Sequence, residues 1–168
     1  STFWFGAQTV IEFNSFTTGN PMIEFLDVSN IVRLRIMGAG PVQTYKLEKL
    51  DSSGTPTQLG SDFFMPVSAL TPDKFDCRIV YAASGTFQVY LNNILYISVT
   101  ATDITTDGVT DLANVRLKNE VLFGIGGERY WSETIVCDTD TRPMRILTLP
   151  PVADGNTHDF DIGSPTAS

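Results

Sequence analysis

Apolar and polar residues alternate along much of this chain, and no stretch of 12 or more residues places apolar side chains at i, i+3, i+4 and i+7. Such alternation is the pattern of strands with one face buried. Thr2–Phe13 is aromatic and β-branched, with a break expected at Gly6. Met22–Val28 and Asn30–Met37 follow as strands. In the second, Val32, Leu34 and Ile36 point one way and Arg33 and Arg35 the other. The run Gly38-Ala39-Gly40-Pro41 ends it. Val42–Leu50 alternates again before the turn cluster Asp51-Ser52-Ser53-Gly54. Leu59–Met65 is a short apolar segment, and Ser68–Pro72 reads as a loop or a single helical turn.

The central region is the clearest. Phe75–Tyr81, Thr86–Leu91 and Ile94–Thr100 are three strand patterns. They are joined by Ala82-Ala83-Ser84-Gly85 and by Asn92-Asn93, where asparagine tolerates the left-handed backbone of a tight turn. This predicts an antiparallel meander. Further strands are expected at Asn114–Leu117, Glu120–Ile125, Tyr130–Cys137 and Met144–Leu149, the last ended by Pro150-Pro151. Ten to twelve short strands without a helix, and without a repeat of fixed period, predict an all-β fold. The architecture that fits is an antiparallel two-sheet jelly-roll sandwich over residues 1–151. Residues 152–168, rich in Gly, Pro, Asp, Ser and Thr, are expected to form an extended C-terminal arm or loop.

Composition narrows the function classes. The chain has 168 residues, of which 42% are hydrophobic, 11% aromatic and 18% charged, so a buried core is expected rather than disorder. Serine and threonine make 32 residues, 20 of them threonine, as suits a sheet-rich surface. The net charge of −8 and four scattered lysines argue against nucleic acid as a partner. There is no apolar run long enough to span a membrane as a helix, and no basic segment leading into an apolar stretch opens the chain, so no secretory leader is expected.

Candidate chemistry lies in loops and aromatics. The segment DITTDGVTD holds Asp103, Asp107 and Asp111, whose oxygens make calcium the one cation to consider, although the spacing is not that of an EF-hand. No other cofactor is expected. Tyr130 and Trp131, with Asn92, are candidates for glycan contact, since sugars are held by aromatic faces beside amides; Trp4 and Tyr90 are further aromatics of this kind. For Trp4 and Trp131 a core position is the stronger expectation. Asp138 and Asp140 stand two apart, and so would share a strand face as a hydrolase pair would, whereas Glu133 and Asp138 would not. A polar turn is the better reading of Asp138 and Asp140. His158 beside Asp159 has no Gly-x-Ser-x-Gly nucleophile to serve, so no catalytic residue is assigned and no enzyme is expected. Cys77 and Cys137 are read as buried free thiols, and with one histidine they make no zinc set.

The meander Lys74–Thr100, with its Phe-Gln-Val-Tyr-Leu-Asn-Asn-Ile-Leu block, resembles the concanavalin A-like or laminin-G-like jelly roll, with Asn93 where that family usually has glycine. Tyr130–Arg142, read with Val115–Leu117, is similar to the closing half of such domains in tailed-bacteriophage virion proteins, with Cys137 in place of an alanine. The resemblance covers roughly residues 70–160. It implies a non-enzymatic virion component, tail- or baseplate-associated, that is assembled in the host cytoplasm. Its partners would be other virion proteins, further copies of itself as a trimer or larger, and bacterial surface glycan. A capsid decoration protein and a carbohydrate-binding module of a receptor-binding or secreted protein are the alternatives.

Overall fold

The computed structural model describes residues 2–11, 19–40, 43–68, 71–118 and 129–144. The strand expected at 120–125, the residues of 145–149, and the arm 152–168 with His158 lie outside them. Ten strands are described: β1 (Thr2–Ile11), β2 (Pro21–Leu26), β3 (Val32–Gly38), β4 (Thr44–Leu50), β5 (Pro56–Phe64), β6 (Asp73–Val80), β7 (Gly85–Leu91), β8 (Ile94–Thr102), β9 (Asn114–Leu117) and β10 (Arg129–Cys137). They form two five-stranded antiparallel sheets. One, sheet A, has the order β10-β1-β6-β7-β8; the other, sheet B, has the order β5-β4-β3-β2-β9. This is the expected all-β jelly-roll sandwich.

Parity along the strands builds the core. In sheet A the row Phe5, Cys77, Val89, Ile97 and the row Phe3, Ile79, Phe87, Val99 face inward, paired residue by residue across β1, β6, β7 and β8. In sheet B the row Leu59, Leu47, Ile36, Ile23 answers them. Phe25 lies at the centre, fully buried, with rings of Phe3, Phe5 and Phe87 at centroid distances of 5.9, 6.3 and 5.7 Å. Edge-to-face and tilted packing of this kind adds to the gain from burial.

Two departures from simple alternation matter. Gly6 does not break β1. The strand pairs continuously with β6 from Thr2 to Thr9, and the irregularity is on the partner, where Gly6 faces Ile135 but Gln8 faces Ser132. Glu133, at φ 50°, is part of this bulge. Residues 59–64 of the 59–65 segment belong to a longer edge strand, β5, which bends at Gly60 (φ 73°) against Val99. The Asn92-Asn93 turn is as expected, with φ 51° and 69°, the left-handed pair of a two-residue hairpin. Cys77 is buried and Cys137 half-buried, and both are free thiols.

Candidate functional site: the outer face of sheet A

The two outward faces of the sandwich differ in chemistry. Across sheet B runs the row Gln58, Glu48, Arg35, Glu24, Arg116. Arg35 meets Glu48 at 2.7 Å and Arg116 meets Glu24 at 3.1 Å, with Lys46 and Lys118 closing on the same carboxylates at 2.6 and 3.3 Å. Opposite charges directly across neighbouring strands satisfy one another, so this face has little left to offer a ligand.

Sheet A presents two other rows. The first is Cys137, Trp4, Arg78, Gln88, Ser98; the second is Ile135, Gly6, Asp76, Tyr90, Leu95. Gln88 is the hub. Its Oε1 accepts from Arg78 Nη1 at 3.3 Å and from the Tyr90 hydroxyl at 3.1 Å, and its amide donates to Ser98 Oγ at 3.0 Å. Trp4 and Tyr90 stack at 5.9 Å and 28°.

The segment that follows β10 straps this face. The Arg142 guanidinium lies 5.1 Å from the Trp4 ring and 4.7 Å from the Tyr90 ring, and it leaves both aromatics only 7% exposed. Asp140 holds Arg142 from the side. Arg142 Nε donates to both carboxylate oxygens at 3.0 Å and Nη2 donates to Oδ2 at 2.5 Å. That fork holds the Asp140 carboxyl below its ordinary value. Asp140 and Arg142, with Asn93 and Pro143, border an open hollow of about 400 Å³.

Beneath the strap, Lys74 and Asp76 fasten it. Lys74 Nζ donates to the carbonyls of Thr141, Arg142 (2.8 Å) and Met144 (2.9 Å), and stands 3.5 Å from Asp76 Oδ1. Thr141 Oγ1 donates to the same oxygen at 2.7 Å. Asp76 is 0% exposed and among the described residues its Oδ2 has no hydrogen-bond partner; burial pushes its carboxyl above the ordinary range despite Thr141 and Lys74. The strap comes this close because residue 6 is glycine: a Cβ there would stand 2.7 Å from Asp76 Oδ1 and 2.9 Å from Thr141.

The residues singled out from the sequence fall in several places. Tyr130 lies on the outer face of sheet A, opposite Val10, and is 48% exposed. Trp131 points the other way, into the sandwich, where its ring meets Phe75 edge-on at 6.0 Å and its Nε1 donates to the Lys118 carbonyl at 3.2 Å. That is the core position favoured for it. Trp4 is also buried, but under the strap rather than between the sheets. Asn92 is taken up by its own hairpin: its amide donates to Asp73 at 2.6 Å and its Oδ1 accepts from the Lys74 N–H at 2.9 Å. Its neighbour Asn93 is the one that borders the hollow. Asp138 and Asp140 share no strand face, because β10 ends at Cys137; Asp140 is held by Arg142, while Asp138 accepts from Thr139 Oγ1 at 3.0 Å.

The three loop aspartates do not converge. Asp103 accepts from Thr105 and meets Lys49 at 3.5 Å; Asp107 pairs with Arg33 at 2.6 Å; Asp111 accepts from Thr110 at 3.1 Å and lines a separate cleft with Phe3 and Val136. Among the described residues no three His, Cys, Asp or Glu side chains are grouped to hold a metal ion. Arg142, Gln88 and Lys74 escaped sequence reasoning. The strand alternation does place Gln88 and Tyr90 on one face, but nothing local announces that residue 142 returns over it.

No family model and no curated protein sequence matches the chain. Solved structures do. The chain resembles the cellulose-induced protein Cip1 (TM-score 0.58, 13% identity, 82% of this chain and 68% of that one). It also resembles an endo-β-1,4-glucuronan lyase from the fungus Trichoderma reesei (0.55, 10%, 82% and 68%). A third likeness is to botulinum neurotoxin type C, in a structure concerned with cell entry through two ganglioside molecules (0.51, 10%, 80% and 32%). At these identities the shared property is the fold. The class defined is a two-sheet antiparallel jelly-roll sandwich, as the concanavalin-like resemblance implied. None of these three is a phage virion protein.

Proposed function

We propose that this chain is a carbohydrate-binding module that works without turnover and uses the outer face of sheet A. The observation that carries the reading is the contrast between the two faces. Sheet B spends its charges on itself. Sheet A offers an ordered guanidinium, amide and hydroxyl row beside an aromatic pair capped by Arg142, and a hollow edged by Asp140, Arg142 and Asn93. Such a rim supplies fixed donors and acceptors for sugar hydroxyls, held rigid by the strap. The likenesses favour this reading over a purely structural one, since two of the proteins named above are described by a polysaccharide and a ganglioside.

The test is a glycan array followed by calorimetry on the hits, with Gln88→Ala and Arg142→Ala alongside. Loss of binding in both variants with unchanged circular dichroism supports the reading. Unaltered binding in both moves the site elsewhere. The phage setting implied by the 132–142 stretch is a proposal within this one: in a virion the module would attach the particle to host glycan. Light scattering tests the trimer or larger assembly that goes with it.

A further inference from the structure

Among the residues whose side chains are described, Arg78 is the one cation without a carboxylate partner in an acidic protein. Every other lysine or arginine whose side chain is described has a carboxylate within 4.0 Å; Arg78 has none, and its recorded partner is the neutral Oε1 of Gln88. It lies at the centre of the first row of sheet A, between Trp4 and Gln88, and is partly exposed. The two rows of that face contain a single carboxylate, Asp76, which is fully buried and turned to Thr141 and Lys74. Asp140, at the margin, is neutralised by Arg142. The chain carries a net charge of −8, yet this patch is locally cationic and presents no exposed carboxylate within its rows.

A guanidinium held in place by an amide offers a planar fork of N–H donors, and the acceptor that matches it is a carboxylate. Resting on the reading of sheet A as a glycan face, we propose that the ligand is an anionic glycan of the uronic-acid type, recognised through its carboxylate by Arg78. Neutral sugars would meet the same hydroxyl-binding groups and gain nothing from this residue. A charge-assisted bidentate contact is worth about ten- to a hundredfold in affinity. Part of that gain falls with added salt, because the site is only partly buried.

The experiment uses matched pairs that differ only at the carboxylate: glucuronan oligomers against cello-oligosaccharides, polygalacturonate oligomers against galactan oligomers, and sialyllactose against lactose. Calorimetry at low and high salt is run on the wild-type chain, on Arg78→Gln and on Arg35→Gln, the last removing a charge from the opposite sheet. A preference of about tenfold or more for the acidic member of a pair, weakened by salt, lost in Arg78→Gln and kept in Arg35→Gln, is the expected result. Equal affinity within every pair, or a preference untouched in Arg78→Gln, overturns the anionic inference and leaves the glycan face standing. Binding to none of the six, on a chain whose circular dichroism shows it folded, overturns the glycan face and this inference with it.

Discussion

Replacing Lys74 by methionine takes one buried ammonium from beneath the strap and leaves the volume nearly filled. Three backbone carbonyls, of Thr141, Arg142 and Met144, lose their donor, and Asp76 loses its nearest cation while remaining wholly buried. Breaking a buried pair from one side costs about 3–5 kcal/mol, because the partner is stranded. For a domain of this length that lowers the melting temperature by about 6–20 °C. Lys46 provides the contrast. Its Nζ is 2.6 Å from Glu48, but the side chain is partly exposed and Glu48 keeps Arg35, so Lys46→Met costs less than about 1 kcal/mol. Urea unfolding of both variants measures the difference. Hydrogen exchange at 139–144 in Lys74→Met reports whether the strap has lifted. Because much of the loss is the stranded carboxylate, Lys74→Met combined with Asp76→Asn is less destabilised than the sum of the two single changes. A cost for Lys74→Met no larger than that for Lys46→Met, with unchanged exchange, would falsify the claim that Lys74 fastens the strap.

Other outcomes follow from the same geometry. Asp76 has a folded-state carboxyl raised above its ordinary value of 3.8, so its ionisation costs stability as the pH rises through that interval; the stability of the wild type relative to Asp76→Asn therefore falls between acid and neutral pH, measurable by urea titrations at several pH values. Phe25→Ala empties the centre of the aromatic cluster and costs about 3–5 kcal/mol in the same assay. At the hairpin, Asn93→Gly keeps the melting temperature or raises it slightly, whereas Asn93→Ile, forced to a φ near 69°, lowers stability by about 1–2 kcal/mol. Gly6→Ala drives a Cβ into Asp76 and Thr141 and costs about 1–3 kcal/mol, with increased exchange at the strap rather than in β7 and β8.

Alternation by itself determined the all-β class, the meander β6–β7–β8 with its Asn92-Asn93 turn, and the inward assignment of Leu34 and Ile36 against Arg35. These are local consequences of a period of two and of which residues tolerate positive φ, and they need no knowledge of neighbours. Alternation could not foresee the bulge at Glu133, which inserts a residue and reverses parity beyond it, because the bulge depends on pairing with β1. The same reasoning failed at Gly6 for a related cause. Glycine usually marks a break, but here it marks a close approach by Thr141, which is far away in sequence. It spread Asp103, Asp107 and Asp111 as one candidate site, when each aspartate takes a different partner: Lys49, Arg33 or Thr110. The candidate site was only half legible for the same reason. The sequence could place Gln88 and Tyr90 on one strand face. Only the tertiary structure could decide that Arg142 returns to cover Trp4 and Tyr90, and that Arg78 is left without a carboxylate, because charge pairing is settled by distances between strands and not by order along the chain.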